Sequence, residues 1–352
     1  MILLMVVCLA LLLALGIVEI RVSISERSGD DEDRPRATPG EIALTSLPAA
    51  ALTGALGWLA AYWQVYGMVL FMVLPTGCGF LAAWLLTRRH LCRSRDCSIA
   101  AVCAVLEAGV GALLFALEGL VCLVMTLPLV IPLALLGGRI AFAYQGSSWW
   151  RRRSPAVLLI LVLSAPVLMG AEAAVAPKPP LLEVRTELVV DAPPEAVWPH
   201  VVSFPSLPEK REWFFRAGIA YPKRAEIRGQ GPGALRLCVF STGAFVEPIE
   251  VWDEPRLLRF AVTQSPPALQ ELSPWGDIRP PHTDGAFLGE KGQFELRPLP
   301  GGHTLLTGTT WYRHDLAPVF YWRLWSDAII HRIHLRVLRH VARLAEEDVR
   351  SR

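Results

Sequence analysis

The sequence predicts an α+β protein in two parts: an N-terminal bundle of about six transmembrane helices, then antiparallel strands closed by one long helix. Three observations carry this. Uncharged apolar runs of bilayer length crowd residues 1–175, and they lift hydrophobic content to 53% and mean hydropathy to +0.40. From Leu182 onward come short segments of alternating hydrophobicity, most at about ten-residue spacing and bounded by Gly, Pro or Asp. A stretch without Gly or Pro, Phe320 to Glu347, repeats its apolar residues with helical period.

Charge excludes one class of partner. Lys plus Arg number 34 against 32 Asp plus Glu, a net charge of +2, and no basic patch carries interleaved aromatics, so no nucleic acid is expected. Of 7 cysteines, only Cys238 belongs to the second half. One cysteine cannot staple a domain, so that half must be held by its core.

Residues 1–18 are uncharged and long enough for a span. They lack the basic start and small-x-small end of a cleavable signal peptide, which makes them an uncleaved first span. Residues 21–40 are a charged loop. No charge then occurs from Ile42 to Leu86, enough for two helices with a reversal near Gln64 to Gly67; one span plus a re-entrant segment is the alternative. Arg88, Arg89, Arg93 and Arg95 form a basic loop. Between residues 98 and 138 the only charges are Glu107 and Glu118, and the run divides into two spans at Glu118-Gly119. Pro128 and Pro132 fall inside the second of these, where bilayer helices tolerate kinks. Arg139 and Arg151 to Arg153 close it, with Trp149 and Trp150 as an interfacial belt.

Residues 154–170 are the sixth span. From Arg151 to Ala176 the order is basic, apolar, then small residues, the grammar that precedes an exported segment. Basic loops on the cytoplasmic side leave both termini outside, giving a multi-pass protein of the cell membrane with an extracytoplasmic C-terminal domain. That assignment requires residues 42–86 to cross twice. The expected divisions are 1–175 for the membrane region, 176–182 for a stiff Pro-rich linker, and 183–348 for the last domain.

In that domain Leu182 to Val190 alternates as a half-buried strand, and Asp191 stands as N-cap before a helix opened by prolines. Further strands are expected at Ala225 to Arg228, Ala234 to Ser241, Ala244 to Trp252, Leu257 to Gln264, Gly289 to Arg297 and His303 to Tyr312. Ser265 to Asp284 interrupts them as a long loop. In the last helix Ile330, Ile333, Val337, Val341 and Leu344 share one arc roughly 80° wide. Arg332, Arg336, Arg339 and Arg343 lie opposite, a solvated face or a contact for anionic headgroups.

These elements, with the opening from Val184 to Phe204 ("V…DAPPEAVWPHVVSF"), Trp252-Asp253, Leu257 to Phe260 and the terminal helix, resemble the START-like helix-grip superfamily (SRPBCC), which includes polyketide cyclases and lipid-transfer domains. The resemblance covers about residues 182–348. It implies a curved sheet gripping the last helix, with an apolar cavity between them, and it specifies fold rather than activity.

Polar residues interrupt the apolar arc in the helix's first half. Asp327, His331 and His334 stand at i, i+4 and i+7, so a helix stacks them on adjoining turns, and Arg323 projects nearby. They can satisfy one another and the strands inside a core, bond a ligand, or act as base and orienter. Strict alternation puts Arg236, Cys238 and Phe240 on one strand face and Phe245, Glu247 and Ile249 on another. A charge on a cavity face is costly unless paired, so Arg236 and Glu247 are natural partners unless both face solvent. Trp311 completes the expected cavity set. Glu107 and Glu118 are the membrane-embedded polar residues; mid-span, Glu107 has either a function or a helix–helix hydrogen bond.

The leading expectation is a membrane-anchored domain binding a lipid or other hydrophobic small molecule next to the bilayer, with no cofactor, no metal and no assigned catalytic residue. A cyclase- or hydrolase-type enzyme using the His/Asp pair, and a docking module for another membrane protein, are the alternatives. The sequence contains no G-x-S-x-G nucleophile elbow and no Gly-rich phosphate loop. Oligomeric state is not encoded legibly.

Overall fold

The structure, a computed structural model, describes residues 31–145, 163–175, 178–208, 212–280 and 287–351. The expected first span at 1–18 and the part of the sixth at 154–162 lie outside them. The chain divides into two units after Ala176.

Four helices of the first unit are long and apolar enough to cross a membrane: α1 (Pro39–Tyr62), α2 (Val69–Thr87), α3 (Ser94–Leu114) and α4 (Leu120–Tyr144). The shorter apolar helix α5 spans Leu163–Val175. The start of α1 is set by a capping box, in which Thr38 Oγ1 accepts from the Glu41 amide at 3.3 Å and the Glu41 carboxylate accepts from the Thr38 amide at 2.8 Å. Residues 42–86 do form two helices. The reversal falls at residues 63–68, where Gln64 takes φ +56°, and α2 opens with a π-helical turn. Glu172 of α5 accepts from the amides of Met68 (2.5 Å) and Val69 (3.4 Å), filling positions that a helix start leaves open. Gly67 admits that carboxylate, since a Cβ there would lie 2.1 Å from Glu172 Cδ.

Small residues set the packing of α2 against α4. A Cβ at Gly79 would sit 2.0 Å from the Ala134 carbonyl oxygen, and one at Gly137 would sit 2.0 Å from that of Thr76, so α2 and α4 touch backbone to backbone. Glu107 of α3 accepts from Ser46 of α1 at 2.9 Å, a helix–helix hydrogen bond. Glu118 stands in the turn between α3 and α4, not within a span.

The second unit is one seven-stranded antiparallel sheet in the order β1-β7-β6-β5-β4-β3-β2. Its strands are β1 (Leu182–Val190), β2 (Pro222–Arg228), β3 (Leu235–Phe240), β4 (Ala244–Asp253), β5 (Leu257–Ala261), β6 (Phe287–Leu299) and β7 (His303–His314). Helix α6 is Pro194–Val202, α7 is Trp213–Arg216 and α8 is Val319–Arg350. Both β1 and β2, the opposite edges of the sheet, contact α8, so the sheet curls around it. The core between them is built on Leu258, Leu306, Leu338 and Val341, all fully buried.

One local expectation is revised, and two local features are added. Asp191 is not the cap of α6, which begins at Pro194 after Pro193; its carboxylate instead lies 3.0 Å from His303 Nδ1. α7 has no counterpart in the sequence reading. The long loop is stitched down over its first half, with Ala220 donating to Ala268 (3.0 Å) and Gln270 donating to Gly218 (2.8 Å).

Candidate functional site

Alternation along each strand decides what faces α8. On β7 the inward positions are Leu306, Gly308, Thr310 and Tyr312; on β1 they include Thr186 and Leu188, since Thr186 pairs with Gly308 and Val184 with Thr310. Gly308 lets the helix approach, because a Cβ there would already be in contact with Leu338 (3.6 Å), Phe294 (3.7 Å) and His334 (3.8 Å).

His334 is buried and bonded on both ring nitrogens, Nδ1 lying 3.0 Å from Thr186 Oγ1 and Nε2 lying 2.8 Å from Thr310 Oγ1. Burial, helped by the neighbouring His331, lowers its pKa to about 4, so the ring is neutral near pH 7. His331 is largely exposed, yet its Nδ1 lies 2.8 Å from the same Thr186 hydroxyl. One turn earlier, the buried Tyr312 hydroxyl donates to Asp327 Oδ1 at 2.6 Å and lies 3.1 Å from Ser326 Oγ. Burial, then the Asp327 contact, raise the Tyr312 pKa, and the phenol keeps its proton. The other Asp327 oxygen, Oδ2, takes the Arg323 Nε–H at 3.0 Å, with Arg323 half exposed. Among the described residues Asp327 and the histidines are not hydrogen-bonded to each other.

Arg236 and Glu247 face each other across β3 and β4 in register and form a buried ion pair. Arg236 also donates from Nε to the Val202 carbonyl at 3.1 Å and lies between the rings of Phe260 (5.3 Å) and Phe294 (5.6 Å). Burial acts most strongly and lowers the Arg236 pKa, but the facing Glu247 carboxylate and Cys238 together outweigh it and keep the guanidinium charged. The Glu247 carboxyl is pushed up by burial, with Arg236 pulling the other way. Cys238 beside them has its thiol pushed up to about 12, chiefly by burial, and is inert as a nucleophile.

The expected residues therefore separate into two inner groups and one outlier. Asp327, His331 and His334 meet β1 and β7, while Arg236, Cys238 and Glu247 lie within the core. Trp311 points to the outer face, donating from Nε1 to Glu183 at 2.9 Å, with Lys291 Nζ 4.9 Å from its ring centroid. Tyr312, Thr186 and Thr310 take the inner positions instead. The arginine stripe is mostly engaged: Arg332 stacks on Phe214 (5.1 Å), Arg336 on Phe215 (5.7 Å), and Arg343 pairs with Glu347 at 3.1 Å.

Burial changes along the inner face. Leu258, Leu296 and Leu306 are buried in one cluster with Val337, Leu338 and Val341 of α8, with Phe294, the partner of Leu258, half-buried beside them, whereas Phe240, Phe245 and Val262, toward the other end of the sheet, stay half-buried. An inner face that combines half-buried apolar side chains with a few polar groups suits an apolar body with a polar head.

No family model matches the chain, and no curated protein matches it. Solved structures do match the second unit. Truncated norcoclaurine synthase from Thalictrum flavum is 13% identical, covering 48% of this chain and 95% of that one, at a TM-score of 0.32. The ZhuI aromatase/cyclase from Streptomyces sp. R1128 is 15% identical over 48% and 96%, at 0.32. TTHA0849 from Thermus thermophilus is 16% identical over 47% and 99%, at 0.27.

Proposed function

We propose that this protein is held in the cell membrane by its apolar helices and binds a hydrophobic, lipid-like molecule on the concave face of its second unit. The observation that carries the reading is the half-buried inner row of Phe240, Phe245, Val262 and Phe294. Water-accessible aromatics inside a curled sheet cost free energy that an apolar ligand would recover, about 25 cal/mol per Å² covered. The adjacent hydroxyl, carboxylate and imidazole groups supply a few polar contacts for a head group. Binding fits them better than proton transfer, since Asp327 spends its carboxylate on Tyr312 and Arg323 and orients neither histidine.

The test uses the full chain purified in mild detergent. Native mass spectrometry and lipid extraction should find a copurifying amphipathic molecule, and Phe245→Arg should remove it while melting temperature stays within a few degrees. A wild-type protein that carries no ligand under conditions that preserve folding overturns the reading. The basic loops at 88–95 and 139–153 further support an extracytoplasmic second unit. A reporter fused after Arg352 that is active only outside the cytoplasm would agree; one active only inside would reverse the topology.

A further inference from the structure

One end of the second unit concentrates apolar side chains that a water-exposed domain would hide. β1 begins at that end and β7 finishes there, as Leu182 pairs with Tyr312 and Leu288 with Arg313. The β3–β4 turn and the stitched loop share it, because Pro222 pairs with Phe240 and Val246 bridges to Gln264. There Trp213, Trp275, Phe320 and Leu324 are 79%, 63%, 67% and 68% exposed.

These side chains stand on anchored elements. Phe320 and Leu324, four apart, share one face of α8. α7 carries Trp213 and is packed onto α8, with Phe214 and Phe215 in one cluster with Ile329 and Ile333. Trp275 follows the loop segment that Gly218 holds through Gln270, and between loop and α7 lies a cleft of about 590 Å³ lined by Phe215, Tyr221 and Leu272. At the opposite end, where β1 and α8 finish, the exposed large apolar residues are Val189 and Val349, without an aromatic among the described residues.

Three facts bear on what covers the rim. Trp and Phe with Leu is the composition of a membrane–water interface, and large apolar side chains exposed together at one end point to an interaction site. Phe240, Phe245 and Val262 of the half-buried inner row lie toward the same end. The chain also enters the unit there: Leu182 follows Val175 of the apolar helix α5 by seven positions, at most about 25 Å of extended chain.

We propose that this rim docks into the interfacial zone of a lipid bilayer, so that an amphipathic lipid moves between bilayer and concave face without crossing water. The proposal rests on the ligand reading above and adds its partner and its door. The full chain is reconstituted into phosphatidylcholine vesicles containing a diazirine-bearing phosphatidylcholine, irradiated, and its adducts are mapped by mass spectrometry. Adducts should be enriched in the peptides carrying Trp213, Leu272 to Trp275 and Phe320 to Leu324 over those carrying Val189 and Val349. Equal labelling of the two ends overturns the docking.

A second arm uses Trp213→Ser, Trp275→Ser, Phe320→Ser and Leu324→Ser together, all surface changes. This variant should retain its copurified lipid but take up labelled phosphatidylcholine from vesicles about tenfold more slowly; an unchanged rate overturns the proposal. The two readings fail differently. Rim labelling in a protein with no extractable lipid supports docking and overturns the ligand reading, whereas bound lipid without rim labelling does the reverse.

Discussion

Arg236 and Glu247 are the residues on which the second unit's core depends most sharply, because each is a buried charge answered only by the other and by a few neighbours. Glu247→Ala should destabilise the protein by about 3–5 kcal/mol, while Arg236→Met with Glu247→Leu together should come out near neutral; chemical denaturation of the full chain measures both. His334 carries a pH signature of definite sign. Its pKa is depressed to about 4 in the folded state against about 6.5 unfolded, so its contribution is complete above pH 6.5 and is lost as pH falls toward 4, about 3 kcal/mol in all. Melting curves between pH 7 and 4.5 should therefore fall less steeply for His334→Leu than for wild type, whatever the variant's baseline; parallel slopes would remove this account. The Arg236–Glu247 pairing is legible as a candidate, since alternation sets each charge among apolar neighbours on its own strand and burial demands a partner; the register of β3 with β4 turns both inward rather than to solvent. The parity of Trp311 and Tyr312 is not legible, because Leu305 and Leu306 are equally good candidates for the inward position and only the packed register chooses Leu306.

Among elements, close approach makes the sharpest demands. α2 and α4 meet through Gly79 and Gly137 at distances that leave no room for a Cβ against backbone oxygen, so Gly137→Val should separate them at a cost above about 3 kcal/mol. The check is thermal aggregation of the detergent-solubilised chain. In the second unit Gly218 has φ +108° and a would-be Cβ 2.1 Å from the Gln270 carbonyl oxygen. Gly218→Ala should release the loop from α7, read as faster hydrogen exchange at the Gln270 and Ala220 amides with the sheet amides unchanged. Long periodic elements announce themselves, and α8 and the six later strands sit within a few residues of their expected bounds. α7 has four residues and therefore no period to read. Asp191 looked like a cap because its residue type suits one, but His303 on the neighbouring strand claims its carboxylate.

At the scale of the whole molecule, composition alone divides the chain, since the charge-free apolar runs and the alternating segments never intermix. The curl of the sheet is another matter. It follows from two edge strands, β1 and β2, finding the same helix across a long separation in sequence, which no local pattern encodes. Because the two units have separate cores, cleavage in the linker at residues 178–181 should release a β-rich fragment that keeps the acid sensitivity assigned to His334. A fragment that unfolds on release would show that the second core depends on the first.

The four groups His331, Thr186, His334 and Thr310 form a single file of hydrogen bonds. A neutral imidazole gives one proton and accepts at its other nitrogen, and a threonine hydroxyl has one proton to give. If His334 donates to Thr186 from Nδ1, then Thr310 must donate to His334 Nε2; if His334 instead donates to Thr310, then Thr186 must donate to His334 and His331 must donate to Thr186. A guest that takes the Thr310 proton therefore forces the second arrangement, and with it fixes the proton of His331 on the nitrogen that faces Thr186.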